Sequence, residues 1–180
     1  MEKTITVTEA LEILGKYASK IVINSDTSID LYPIENGIAR IQAMGESHGH
    51  CVNILLQDTY KSVCRHHAME HSKLDKLDGL YATCSTMDTP DAKLKWLNTL
   101  GAVRVTPNNF DWSASCDSSL IAEEPVRATA ATAAQAIEEL FAAIMPKLLA
   151  AQTTYSVRLD HLHKELQQLD AAVFTSDTEV

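Results

Sequence analysis

Apolar residues recur along this chain with two different periods, and each change of period marks an expected element. Near the start, Thr6-Val7-Thr8-Glu9 has the form of a capping box, in which a threonine hydroxyl and a glutamate three residues on satisfy each other's backbone N–H groups. Leu11, Leu14, Ala18 and Ile21 follow at helical spacing, so the pattern predicts a first helix through all four. From Ile29 the spacing shortens to alternation. Ile29 with Leu31, then Ile38 to Ala43, then Val52 to Leu56 predict three strands. The turn formers Glu35-Asn36-Gly37 and Gly45-Glu46-Ser47-His48-Gly49 separate them in the manner of an antiparallel meander. Asp58 is placed to cap a second helix with Tyr60, Val63, Cys64, His67, Met69 and Leu74 on its apolar face. Gly79 is expected to end that helix, and Leu80 to Cys84 to form a further strand.

The next unit is better marked. Thr89 can cap a helix and Pro90 can take its first position without losing a hydrogen bond, while Leu94, Trp96, Leu97 and Leu100 give a broad buried face. Gly101 falls where a left-handed residue closes a helix, and Val103 and Val105 resume a strand. A valine at position 101 is therefore expected to destabilise the domain. Residues 111–119, DWSASCDSS, are small and polar and read as a linker. Beyond Pro125 the chain is rich in alanine and leucine, free of glycine as far as Val173, and helical by propensity. Its apolar positions are Ile137, Phe141, Ile144, Leu148, Ala151, Tyr155, Leu159, Leu162, Leu166, Leu169 and Val173. Steps of three and four make these a continuous seam, with an extra step of four from Tyr155 to Leu159 acting as a stutter. Pro146 is expected to kink this helix or split it. The division this predicts is an α+β domain over 1–112, a linker over 113–124, a helical segment over 125–173 and a disordered tail over 174–180.

Composition narrows the function classes. A chain of 180 residues, 46% hydrophobic, suffices for one core and an appended element. Its formal charge of −9, with no cluster of Lys and Arg to offset it, repels phosphate backbones, so nucleic acid is not an expected partner. No apolar run is long enough to span a bilayer, and the start lacks the basic-then-apolar order of a signal peptide, which predicts a chain made in a cytoplasm. Cys51, Cys64, Cys84 and Cys116 lie far apart and suit buried free thiols better than a disulfide frame or a zinc site. One constellation carries chemistry by its spelling. His67-Ala68-Met69-Glu70-His71 is H-x-x-E-H, which on a helix would set two histidines one turn apart for zinc, with Glu70 as the base that activates water. The ordinary reading of the same residues is a solvated, His-rich helix face. His48-Gly49-His50-Cys51 sits on an expected turn and carries less.

The expected order of helix, meander, helix, strand, helix, glycine, strand resembles that of GNAT N-acetyltransferases, and W-L-N-T-L-G-A looks like a degraded copy of that family's F-Y-x-K-L-G-F segment. Closer still, L-Y-A-T-C-S-T-M-D-T-P-D-A-K-L-K-W-L-N-T-L-G-A-V resembles the GNAT-like internal virion protein A family of short-tailed bacteriophages, over roughly 29–105 and most clearly at its end. The resemblance implies a GNAT-like mixed sheet flanked by helices, with Trp96, Leu97 and Gly101 as its fold motif. It also implies a role in building the phage particle, in the internal core or head-to-tail region. The setting would be the host cytoplasm during assembly, with the virion left open. Enzymes of this fold hold the acyl-CoA pyrophosphate on the backbone of a glycine-rich loop after the central strand. Here no glycine follows Gln57 until Gly79, and Leu97 takes the place of the tyrosine general acid. The expectation is a pseudoenzyme with no cofactor, no metal and no catalytic residues. An active acyl-CoA-dependent N-acetyltransferase is the alternative, and a zinc hydrolase using H-x-x-E-H a more distant one. Partners are expected along the seam, at Ile144, Leu148, Tyr155, Leu159, Leu162 and Leu166, through phage structural proteins or self-association. The competing reading folds the seam back onto its own chain.

Overall fold

The computed structural model of the chain describes residues 6–33 and 40–176. In chain order these form α1 (Val7–Leu14), β1 (Ala18–Ile23), β2 (Ser28–Pro33), β3 (Ile41–Met44), α2 (His48–Cys84), α3 (Pro90–Leu100), β4 (Ala102–Pro107), β5 (Trp112–Asp117), β6 (Val126–Ala130) and α4 (Ala133–Ser176). The protein is α+β with a long C-terminal helix, as expected. The strands pair differently from the single mixed sheet. All pairings among the described residues are antiparallel, in two three-stranded sheets ordered β1-β2-β3 and β4-β5-β6. The expected turn at Glu35-Asn36-Gly37, the strand start at Ile38 and residues 177–180 of the expected tail lie outside the described residues, while 174–176 continue α4.

The chain divides into two compact units, 1–69 with 159–180 and 70–158. The first opens at Thr6, whose hydroxyl accepts from Glu9 N at 3.2 Å while Glu9 Oε2 accepts from Thr6 N at 2.9 Å, so the capping box is complete. The helix it starts ends at Leu14, short of Ala18 and Ile21. The run Ile21-Val22-Ile23 is β-branched throughout and goes to β1, where it pairs with Leu31-Asp30-Ile29. Ile29, Leu31 and Ala43 close over Leu14, Cys51, Leu55, Leu56 and Leu169, all buried. Val52 to Leu56, expected as a strand, lies in α2. Cys51, Val52, Leu55, Leu56, Thr59 and Val63 are buried at helical spacing, and a short apolar run does not by itself separate the two periods. The helix begins ten residues before Asp58, with Ser47 Oγ accepting from His50 N at 3.2 Å, and Asp58 pairs with Lys61 instead of capping.

The second unit takes the rest of α2. Gly79 does not end it, and Leu80 to Cys84 is its last turn and not a strand. Thr89 and Pro90 start α3 as expected, Thr89 Oγ1 accepting from Ala92 N at 3.2 Å. Residues 112–117 of the expected linker are β5. Its small residues alternate, with Ala114 and Cys116 buried between the flanking strands, a period of two that composition alone conceals. Val126–Ala130, expected as the start of the long helix, is β6. Thr132 then caps α4 through Gln135 N. Pro146 is accommodated inside α4, which remains one helix. Leu77, Trp96, Leu97, Leu100, Leu140, Ile144 and Leu148 form the core of this unit.

Candidate functional site

The W-L-N-T-L-G-A junction is built as architecture. Trp96 Nε1 donates to Leu80 O at 3.0 Å and its ring meets Phe141 edge-on at 5.1 Å, while Leu97 is fully buried. Gly101 is not left-handed, as the sequence reading had it. Its φ of −172° and ψ of −170° are extended backbone that any residue adopts. What requires glycine there is proximity: a Cβ would overlap the Asp117 carbonyl oxygen and come within 2.7 Å of Ser118 Cβ. The end of β5 lies against the end of α3, and Ser118 Oγ donates to Leu100 O at 2.9 Å, satisfying one of the carbonyls a helix C-terminus leaves open.

Gln57, after which a pyrophosphate-binding loop would have to open, lies in the interior of α2. Backbone N–H groups there are engaged along the helix and are not gathered around an anion, which needs a helix start. The H-x-x-E-H residues straddle the point in α2 where the chain passes from one unit to the other. In the first unit the His67 ring lies 6.5 Å from that of His163. In the second, His71 Nδ1 is 2.9 Å from Asp75 Oδ2, and Glu70, nearly fully buried, is paired with Lys73 at 2.7 Å and Arg158 at 3.8 Å. Among the described residues no three His, Cys, Asp or Glu side chains are gathered so as to hold a metal ion. Glu70 thus belongs to a charge cluster with two cations.

The expected partner seam is covered by the chain itself. Ile144, Leu148 and Tyr155 are buried in the second unit, and Leu159 is buried in the first, where Leu162 and Leu166 pack against the core. The spacing marked the buried face of α4, and of the two covers it left open the fold-back onto the chain itself is the one found, since a period of three and four is the same whether the neighbour is a partner or the chain's own α2.

Three features escaped the sequence reading. Thr27, between β1 and β2, has φ +56°, an uncommon setting for a β-branched residue. Its hydroxyl donates to Gly45 O at 2.7 Å, and its carbonyl accepts from the buried Cys51 thiol at 2.8 Å. Burial, with the charge of Asp26, pushes that thiol's pKa up, which suits the inert free cysteine expected. Burial, reinforced by Glu165, likewise pushes Tyr17 up to about 12. The third feature is Phe110. Asn108 N donates to Asp111 O at 2.7 Å and Asn108 Nδ2 to Asp111 Oδ1 at 3.0 Å, closing the β4–β5 hairpin tightly, and Phe110 projects from its tip 98% exposed. The segment Asn108-Asn109-Phe110-Asp111 has turn composition, and its aromatic residue was the available signal.

Comparison with protein-family models, with curated proteins and with solved structures gives no match for this chain. No helix among the described residues is long and apolar enough to cross a membrane.

Proposed function

We propose that this chain is a non-catalytic protein acting through protein–protein contacts, in the setting its resemblance to the GNAT-like internal virion protein A family implies: morphogenesis of a short-tailed phage particle. The observation that carries the contact reading is Phe110, a large aromatic side chain held in water on a braced hairpin. Aromatic anchors of this kind, preordered and apolar, dominate the energetics of protein interfaces. The contact surface therefore moves from the α4 seam, where the sequence reading put it, to the β4–β5 hairpin. The absence of catalysis is supported by two positions. Leu97 cannot donate a proton, and Gln57 is followed by helix where a pyrophosphate cradle would be needed.

The test is Phe110→Ser. Because the ring touches almost nothing, the melting temperature should be unchanged within error. Capture of phage structural proteins from infected cells should weaken by a factor of about 30, the equivalent of a hot-spot loss of about 2 kcal/mol. Complementation should fail in parallel. Equal capture by parent and variant refutes the contact surface, and tight calorimetric binding of acetyl-CoA to the parent would favour the acetyltransferase alternative.

A further inference from the structure

The stutter in α4 coincides with a buried ion cluster. From Ile144 through Leu148 to Tyr155 the seam is regular, and the extra step to Leu159 interrupts it. At that turn, within the second unit, Arg158 reaches toward Glu70 on α2, whose side chain is only 4% exposed. Lys73, one turn along α2, holds the other carboxylate oxygen at 2.7 Å. Both cations also flank the ring of buried Tyr155, with Lys73 Nζ 5.5 Å and Arg158 Cζ 5.7 Å from its centroid. The cations keep their own contact with water, at 39% and 59% side-chain exposure, so the arrangement is one buried carboxylate with two solvated counterions.

Burying a carboxylate is costly, and such clusters stabilise no better than apolar residues of the same size, yet an arrangement that strands the carboxylate is strongly disfavoured. An aliphatic seam has the opposite property. Moved by one turn, about 5.4 Å, a leucine finds equivalent neighbours, so apolar spacing alone specifies register weakly. Leu77 and Leu80 of α2 and Ile144 and Leu148 of α4 are side chains of that kind. The pairing that is found differs from its slipped neighbours in its polar contacts: it brings Arg158 to Glu70 and, at an exposed position, Gln152 Nε2 to Asp78 Oδ1 at 2.7 Å, and of these only the first involves a buried charge.

We propose that Glu70, Lys73, Tyr155 and Arg158 form a register lock, which fixes the turn of α4 that faces a given turn of α2 in the second unit. The lock is independent of the assembly function and explains the glutamate of H-x-x-E-H without catalysis. Its test is Glu70→Leu, which frees both cations into water. Nitroxide labels at Ser72 and Ser156, both exposed, with Cys64 and Cys84 replaced by serine, report the pairing by pulsed electron spin resonance. The parent should give one narrow distance, while Glu70→Leu should melt no lower than the parent and give a broadened or doubled distribution. A charge-reversed variant, Glu70→Arg with Lys73→Glu and Arg158→Glu, should return the distribution to a single distance. A single parental distance in Glu70→Leu overturns the proposal. So does a melting temperature below the parent's in that variant, which would make the cluster a source of stability, and so does continued heterogeneity in the charge-reversed variant.

Discussion

Two glycines in the second unit should respond oppositely to the same substitution. At Gly101 a methyl group would overlap the Asp117 carbonyl oxygen, lie 2.7 Å from Ser118 Cβ and 3.0 Å from the Asp117 carbonyl carbon. Two of these three atoms are backbone, so relief requires β5 to move away from the end of α3. Overpacking of this kind costs about 1–3 kcal/mol. Displacement of Ser118 also threatens its bond to Leu100 O, worth about 0.5–1.5 kcal/mol. Against this, alanine restricts the unfolded chain and returns about 0.4–1 kcal/mol. The net loss for Gly101→Ala is about 1–3 kcal/mol, a fall in Tm of about 2–12 °C for a chain this size. Gly79, inside α2, has nothing within 4 Å of an added Cβ. Gly79→Ala should therefore gain about 0.5–1 kcal/mol and raise Tm by about 1–4 °C. Melting followed by circular dichroism reads both, and hydrogen exchange of β4 and β5 locates the Gly101 effect. Gly101→Asn distinguishes proximity from a left-handed cap. Asparagine tolerates the left-handed region, yet its Cβ meets the same atoms, so it should do no better than alanine. A Gly101→Ala protein as stable as the parent would refute the close approach of Asp117 and with it the placement of β5.

Further consequences follow from single groups. Tyr17 has its pKa raised to about 12, so between about pH 10 and 12 the unfolded chain gives up a proton that the folded one keeps. Stability from this group is complete below pH 10 and lost as pH rises toward 12, by roughly 2–3 kcal/mol at most, and urea titrations of Tyr17→Phe should lack that part of the alkaline decline. Thr59 Oγ1 is buried among the leucines of the first unit with no hydrogen-bond partner among the described residues. Thr59→Val keeps the shape and removes the orphaned hydroxyl, so chemical denaturation should show a gain of about 1 kcal/mol, and a loss would mean that a bond to the hydroxyl exists.

Elements with local signals were legible in the sequence. The capping box at Thr6, the Thr89-Pro90 start of α3 and the valines of β4 all encode structure within one turn or one hairpin. Legibility failed where the signal was shared between states. Val52 to Leu56 fits a strand or one face of a helix, and α2 won because Cys51, Thr59 and Val63 extend the helical spacing beyond the run. Ser113-Ala114-Ser115-Cys116 carries period two in residues too small for composition to register as a strand. Gly101 was read as a left-handed cap, whereas the crowding at that position comes from Asp117, sixteen residues away, and no local pattern reports such a contact. The buried face of α4 was legible, but its cover was not, because hydrophobic period specifies a neighbour without naming it. At Phe110 the turn composition was legible but the exposure was not, since that is set by the hairpin that carries it.

This chain covers its own α4 seam, which leaves the proposed contact surface to the β4–β5 hairpin. Hydrogen–deuterium exchange of the isolated protein, resolved over α4 and repeated across a hundredfold range of concentration, tests it most directly. The amides of Ile144, Leu148, Tyr155, Leu159, Leu162 and Leu166 should be protected equally at every concentration, as an intramolecular core requires. Protection that grows with concentration, or rapid exchange across the seam at the lowest one, would contradict it and return the seam to a partner.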